Sequence, residues 1–316
     1  MINRRTLIGT GAVAALSGVV GARSFADTPK QIRIGYQKNG ILVVARQQAV
    51  LEKYFTPFGI EIGWIDFPSG PPMLEAMNAG SIDFGQVGDT PPIFAQAAGA
   101  KIVYVAGQPI TNGQGILVNA DSAIRTIANL KGKRIGFTKG SSAHNVVVMA
   151  LEKAGLQYSD ITPVYLSPPD AVVAFARGSI DAWAVWDPYF AIGELRGGGR
   201  VLVNANALGK TNSFYIANRD FAAQSPQLVA RTIDVLAKTA DWAEAHRDQV
   251  GRVLADITGV DLAIQTFAAQ RSSFAIGKLT DDIVATQQAV AERFFRLGLI
   301  PRHIAVREAI WTASQS

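Results

Sequence analysis

The sequence predicts an α/β protein built as two duplicated lobes around a ligand cleft, joined by a two-strand hinge and followed by a helical C-terminal segment. Three observations predict it: a repeat, an alternation of short strands with helices, and a late change to long amphipathic stretches. Arg33-Ile34-Gly35-Tyr36-Gln37-Lys38 returns about 100 residues later, a domain-sized period, as Arg134-Ile135-Gly136-Phe137-Thr138-Lys139. Gly80-Ser81-Ile82-Asp83 with Val87-Gly88-Asp89 returns as Gly178-Ser179-Ile180-Asp181 with Val185-Trp186-Asp187.

Residues 1–26 read as an export signal and stand apart from the fold. Arg4 and Arg5 precede an apolar run, Leu7 to Val20, of about 14 residues, signal-peptide length and short of a bilayer span. Ser24-Phe25-Ala26 offers a small-x-small cleavage site. Paired arginines fit either the Sec or the twin-arginine route, and both lead out of the cytoplasm. Cleavage would remove three of the 30 basic residues and none of the 25 acidic ones, so the formal charge falls from +5 to +2. The basic pI thus gives little support for a nucleic-acid partner. A chain with no cysteine has no disulfide or thiolate chemistry, and its three histidines, His144, His246 and His303, form no metal-ligand spacing. Neither metal nor cofactor is expected.

In the first lobe, short strands are expected near 31–37, 61–67, 82–87 and 101–107, alternating with helices near 42–55, 72–78 and 92–98. The second lobe repeats the order, with strands near 133–138, 161–166, 182–185 and 201–204 and helices near 142–154, 169–176 and 188–195. Helical stretches at 227–246, 261–269 and 281–297 follow. Two extended segments, 115–119 and 211–218, read as hinge crossings or as ordinary sheet strands, and the repeat favours the hinge. The expected division is 27–116 plus 217–316 for lobe 1 and 117–216 for lobe 2.

Three strands run into turn clusters that open helices: Ser69-Gly70-Pro71-Pro72, Gly88-Asp89-Thr90-Pro91-Pro92 and Lys139-Gly140-Ser141-Ser142. Helix first turns carry unpaired N–H groups that attract anions. Plain N-capping explains any one cluster alone; three of them, duplicated between lobes, point to a shared anion site. Trp186 stands where the first lobe has Gly88, either as an apolar wall of the cleft or in the core. Trp64, Trp183, Trp242 and Trp311 are assigned to the core. Asp89 and Asp187 either cap their helices or help exclude dianions. A Ser141–His144 nucleophile–base pair lacks an orienting carboxylate and a nucleophile-elbow motif, which disfavours an enzyme.

These segments, together with Phe67-Pro68-Ser69-Gly70-Pro71, the run Gly88 to Gly99, Ala143-His144-Asn145, Trp186-Asp187-Pro188-Tyr189 and Ser213-Phe214-Tyr215, resemble the aliphatic-sulfonate-binding proteins of bacterial ABC transporters. The resemblance runs from about Gln31 to Trp311 and lies within the wider sulfonate, nitrate and taurine binding group. It implies a periplasmic binding protein of type II that closes on its ligand, with the C-terminal helices packed back on lobe 1, a monomer that passes aliphatic sulfonates to a permease and its ATPase. It implies a ligand site at Gln37, Ser69, Gly70, Pro71, Gly88, Asp89, Thr90, Ser141, Ser142, His144, Asn145, Trp186, Asp187 and Tyr215. Ser141, Ser142 and Thr90 are expected to hold the sulfonate oxygens, with Trp186, Tyr215 and Phe67 along the tail. Taurine, nitrate or another small anion is the alternative ligand. Enzymes on this fold need cysteine chemistry, which this chain lacks.

Overall fold

The computed structural model describes residues 29–109 and 112–312; the expected export segment lies outside them. The chain opens with β1 (Gln31–Tyr36), α1 (Ile41–Gln47), α2 (Val50–Phe55), β2 (Glu61–Asp66), α3 (Gly70–Asn78), β3 (Phe84–Val87), α4 (Thr90–Ala97) and β4 (Ile102–Pro109). It continues with β5 (Gln114–Asn119), β6 (Arg134–Phe137), α5 (Ser142–Lys153), β7 (Thr162–Tyr165), α6 (Pro168–Ala176), β8 (Ala182–Trp186), α7 (Tyr189–Leu195) and β9 (Gly199–Asn204). The last part is β10 (Asn212–Asn218), α8 (Arg219–Gln224), α9 (Pro226–Ala245), α10 (Arg247–Thr258), α11 (Leu262–Arg271) and α12 (Asp281–Arg296).

Two five-stranded sheets result, ordered β2-β1-β3-β10-β4 and β7-β6-β8-β5-β9. In each, three strands are parallel and the fourth position is filled by an antiparallel strand that arrives from the other sheet's side: β10 against β3 and β4, β5 against β8 and β9. The segments expected as hinge crossings are therefore these integral strands. Sheet membership changes between β4 and β5 and again between β9 and β10.

The repeated sequence has a repeated physical cause. Asp83 accepts from the Arg33 backbone N–H at 2.8 Å and from its guanidinium at 2.9 and 2.6 Å. Asp181 accepts from Arg134 in the same way, at 2.7, 3.1 and 2.8 Å. Each pair ties the turn after a helix to the first of the parallel strands in its sheet.

Two expectations are corrected. The helix expected at 42–55 is broken into α1 and α2 by Ala49 in the left-handed region, φ 50°, a conformation that costs a non-glycine residue about 1–2 kcal/mol. The C-terminal helices do not all pack on lobe 1: Ile264 and Ala268 of α11 pack against Ala191 of α7, in lobe 2. The α10 helix had no counterpart in the expected pattern; it packs so closely on α11 that a Cβ at Gly251 would lie 2.7 Å from the Thr266 backbone. Trp183 is core as expected, buried among Leu117, Phe175 and Phe190, while Trp64 and Trp242 are partly buried around the lobe 1 core.

The Asp83 side chain is 7% exposed and that of Asp181 30%, so the two copies of the ion pair should differ in weight. Asp83→Ala should cost about 2 kcal/mol by urea denaturation, and Asp181→Ala clearly less. Equal losses would contradict the difference in burial.

Candidate functional site

The carboxyl ends of the parallel strands meet the starts of α3, α4 and α5 at one cleft of about 120 Å³ between the lobes. Its walls include Gln37, Gly70, Gly88, Ser141, Ser142, Trp186 and Asp187 of the expected residues. No lysine or arginine lines it among the described residues.

The three helix starts carry no side-chain cap, as is also true of α1, α2, α9 and α10. Ser167, Asn218, Asp261 and Thr280 cap α6, α8, α11 and α12 by accepting from backbone N–H groups. Ser69, Asp89 and Ser141 do not cap α3, α4 or α5 with their side chains. At α3 and α4 the second and third helical positions are prolines, Pro71-Pro72 and Pro91-Pro92, with no N–H for a cap to bind, so it is the start of α5 that presents uncapped first-turn N–H groups beside the cleft. The glycines allow this closeness. A Cβ at Gly70 would lie 2.6 Å from Pro91 Cγ, and one at Gly88 would lie 2.7 Å from Ser142 Cβ, across the cleft.

Of the hydroxyls expected to hold an anion, two are already engaged. Ser141 Oγ donates to the Thr138 carbonyl at 2.7 Å, and Thr90, fully buried, donates to Asp89 at 2.8 Å. Neither can donate to a ligand without breaking that bond. Ser142 remains, together with the backbone at the start of α5. Ser69 is buried at the N-cap of α3, and Pro71 fills its first turn.

Asp89 and Asp187, the duplicated aspartates, reach across between lobes. Asp89 accepts from Asn145 Nδ2 of α5 at 2.6 Å, and Arg293 of α12 donates to Asn145 Oδ1 at 3.2 Å. Burial pushes the Asp89 carboxyl up to about 6, against the opposing hydrogen bonds from Thr90 and Asn145. Asp187 receives two bonds from Arg271 of α11, at 2.8 and 2.7 Å, and one from Ala191 N–H of its own helix at 3.0 Å. Asn39 of lobe 1 donates to its carbonyl at 2.7 Å. Burial raises this carboxyl too, opposed by Arg271. Of the two roles expected for these residues, helix capping holds for Asp187 through Ala191 and not for Asp89.

His144 is fully buried behind the α5 start, stacked on Phe137 and edge-on to Phe294 of α12. Its Nδ1 accepts from Gly140 N–H at 3.2 Å, so the proton sits on Nε2, which donates to Tyr158 at 3.0 Å. Burial, aided by Lys139, lowers its pKa to about 3. It shapes the Lys139–Ser142 turn and does not line the cleft. Tyr215 is also fully buried and donates to Gln108 Oε1 at 3.2 Å; Gln108, not Tyr215, reaches the cleft. Phe67 packs beside the lobe 1 core, with Gly35 and Met73 as neighbours.

Sequence reasoning missed a set of amides. Gln86 donates to Gln108 at 2.5 Å, and both line the cleft with Gln114 and Gln265. Gln114 lies directly opposite Trp186 in the β5–β8 ladder, which puts both side chains on one face of the sheet. Among the described residues, Gln114 Nε2 is a buried donor with no acceptor. No signal in the sequence marks it, because the role depends on strand register.

A two-lobed chain with exchanged fourth strands and an interlobe cleft of uncapped helix starts is a binding protein of the type II periplasmic class. The NMT1/THI5-like family model matches residues 42–250, and the chain belongs to that family. A protein of Escherichia coli (strain K12) provisionally named aliphatic sulfonates-binding protein is 40% identical over 308 residues, covering 95% of this chain and 96% of its own. The alkanesulfonate-binding protein SsuA from Xanthomonas axonopodis pv. citri, solved bound to MOPS, is 41% identical with a TM-score of 0.85 over 90% of this chain and 99% of its own. The periplasmic aliphatic sulphonate binding protein SsuA from Escherichia coli is 39% identical with a TM-score of 0.81, over 92% and 94%.

His144 gives the fold a signature in acid. Between its ordinary 6.5 and about 3, the unfolded chain takes up a proton that the folded chain refuses, so this residue's contribution to stability is lost as pH falls through that window. The loss should approach about 1.4 kcal/mol per pH unit below pH 6. Urea midpoints of wild type and His144→Gln, compared from pH 7 to 4, should converge as the pH drops; a constant gap would show that His144 is not held neutral.

Proposed function

We propose that this chain is the substrate-binding component of a bacterial ABC importer. It captures aliphatic sulfonates in the periplasm as a monomer, closes on them, and delivers them to a membrane permease and its ATPase for sulfur assimilation. The observation that carries the reading is the cleft's donor set: the uncapped start of α5, Ser142 and the unpartnered Gln114 Nε2, with no cationic side chain in the lining among the described residues. Several neutral donors and helix dipoles suit a single negative charge spread over three oxygens. Asp89 and Asp187, buried close to the helix starts, place negative charge behind the cleft and penalise a dianion such as sulfate more than a monoanion.

Trp186 and the β8 end supply the apolar side for the tail. The names of the relatives agree with this ligand class. The site reads as a binding site and not a catalytic one: the Ser141 hydroxyl is turned to Thr138, and the His144 ring is held by Gly140 and Tyr158, so the two form no nucleophile–base pair.

The test is a thermal-shift and calorimetric panel on refolded, ligand-stripped protein in a buffer free of sulfonates. Alkanesulfonates of rising length and taurine are compared with sulfate, nitrate and bicarbonate. Sulfonates should stabilise the fold by about 2.7 kcal/mol at a hundredfold excess over Kd. Stabilisation by nitrate or bicarbonate alone would overturn the ligand class. Ser142→Ala should weaken every sulfonate by a similar factor, about 10-fold, and more than Ser141→Ala, whose hydroxyl points elsewhere.

A further inference from the structure

Gln265 of α11 is fully buried and lines the same cleft one helical turn from Ala268. Its amide orientation is fixed by its neighbours. Nε2 donates to Thr258 Oγ1 at 2.9 Å and to the Lys38 carbonyl at 3.3 Å. The Lys38 oxygen can only accept, and the Thr258 hydroxyl already gives its proton to the Leu254 carbonyl at 2.6 Å. The nitrogen must therefore face both, which leaves Oε1 on the other side. Among the described residues, Oε1 has no hydrogen-bond partner.

The other strong acceptor on this wall is closed to a ligand. Both oxygens of Asp187 are taken by Arg271, and one also by Ala191 N–H. A buried, unpaired amide oxygen beside a binding cleft is costly unless something donates to it. Among the described residues none of the groups lining the cleft donates to it, and a sulfonate head group carries no hydrogen to give.

From the orphaned Gln265 Oε1 we infer that the preferred ligand's tail carries a hydrogen-bond donor, a hydroxyl or protonated amine, which Gln265 accepts from. The inference rests on the sulfonate reading and narrows it: the head group is held by the helix starts and Gln114, and the substrate class is ω-hydroxy- or ω-aminoalkanesulfonates ahead of plain alkanesulfonates. Gln265 is then the residue that sets tail specificity. Sites built to hydrogen-bond a substrate hydroxyl reject analogues lacking it more strongly than apolar pockets distinguish one methyl group from none.

The experiment compares 3-hydroxypropanesulfonate with butanesulfonate, which replaces the hydroxyl by a methyl, and with 3-fluoropropanesulfonate, which fills the space without a donor. Affinities are measured by calorimetry for wild type and Gln265→Met. Wild type should bind the hydroxyl ligand about 10-fold tighter than either analogue, and Gln265→Met should lose that preference while keeping its affinity for butanesulfonate within a few-fold. Three sulfonates of equal affinity in wild type would overturn the inference and leave the sulfonate reading standing. So would a folded Gln265→Met that keeps the wild-type ratio. If the variant does not fold, the wild-type comparison decides alone. If none of the three binds, the sulfonate reading fails and this inference with it.

Discussion

Asp89 and Asp187 hold the relation on which the cleft depends. They occupy duplicated positions at the ends of β3 and β8: the Asp89 carboxylate bonds to Asn145 of the other lobe, while the Asp187 carboxylate bonds to Arg271 of α11, the helix that packs on α7, and Asn39 of lobe 1 donates to the Asp187 backbone carbonyl. Burying a carboxylate is costly unless it is paired or hydrogen-bonded, so Asp89 favours the arrangement in which α5 of the opposite lobe supplies its partner. These bonds hold the two lobes together at the cleft. Gly88 then meets Ser142 across the gap, and Phe94 and Phe294 close over His144.

That approach places the uncapped start of α5 at the cleft. Backbone N–H groups in a first turn need an acceptor, and at α6, α8, α11 and α12 side-chain caps provide it. At α3, α4 and α5 the cap residues turn their side chains to other work or to none. A dry cleft strengthens each remaining donor's pull on an anion. Closure and binding are then one equilibrium, because a ligand favours the closed form only through contacts it makes better there.

The repeat was the most legible part of the sequence, since it records two copies of one ion pair, Arg33–Asp83 and Arg134–Asp181, and the strand and helix order followed from periodicity. What stayed hidden depends on direction. Whether Tyr215 or Gln108 reaches the cleft is decided by which face each strand presents. Ser141 and Ser142 are neighbours of the same chemistry, yet one hydroxyl is turned to Thr138. The break at Ala49 carries no glycine or proline to announce it, and the exchanged strands β5 and β10 resemble linkers until their ladder partners are known. The cleft glutamines have no motif at all.

The most direct measurement is a crystal structure of the mature protein with ethanesulfonate. The account predicts sulfonate oxygens at hydrogen-bond distance, about 2.7–3.2 Å, from Ser142 Oγ and the first N–H groups of α5, with the ethyl group turned toward Trp186. A head group bound away from the α5 start, with those N–H groups facing only solvent, would contradict it.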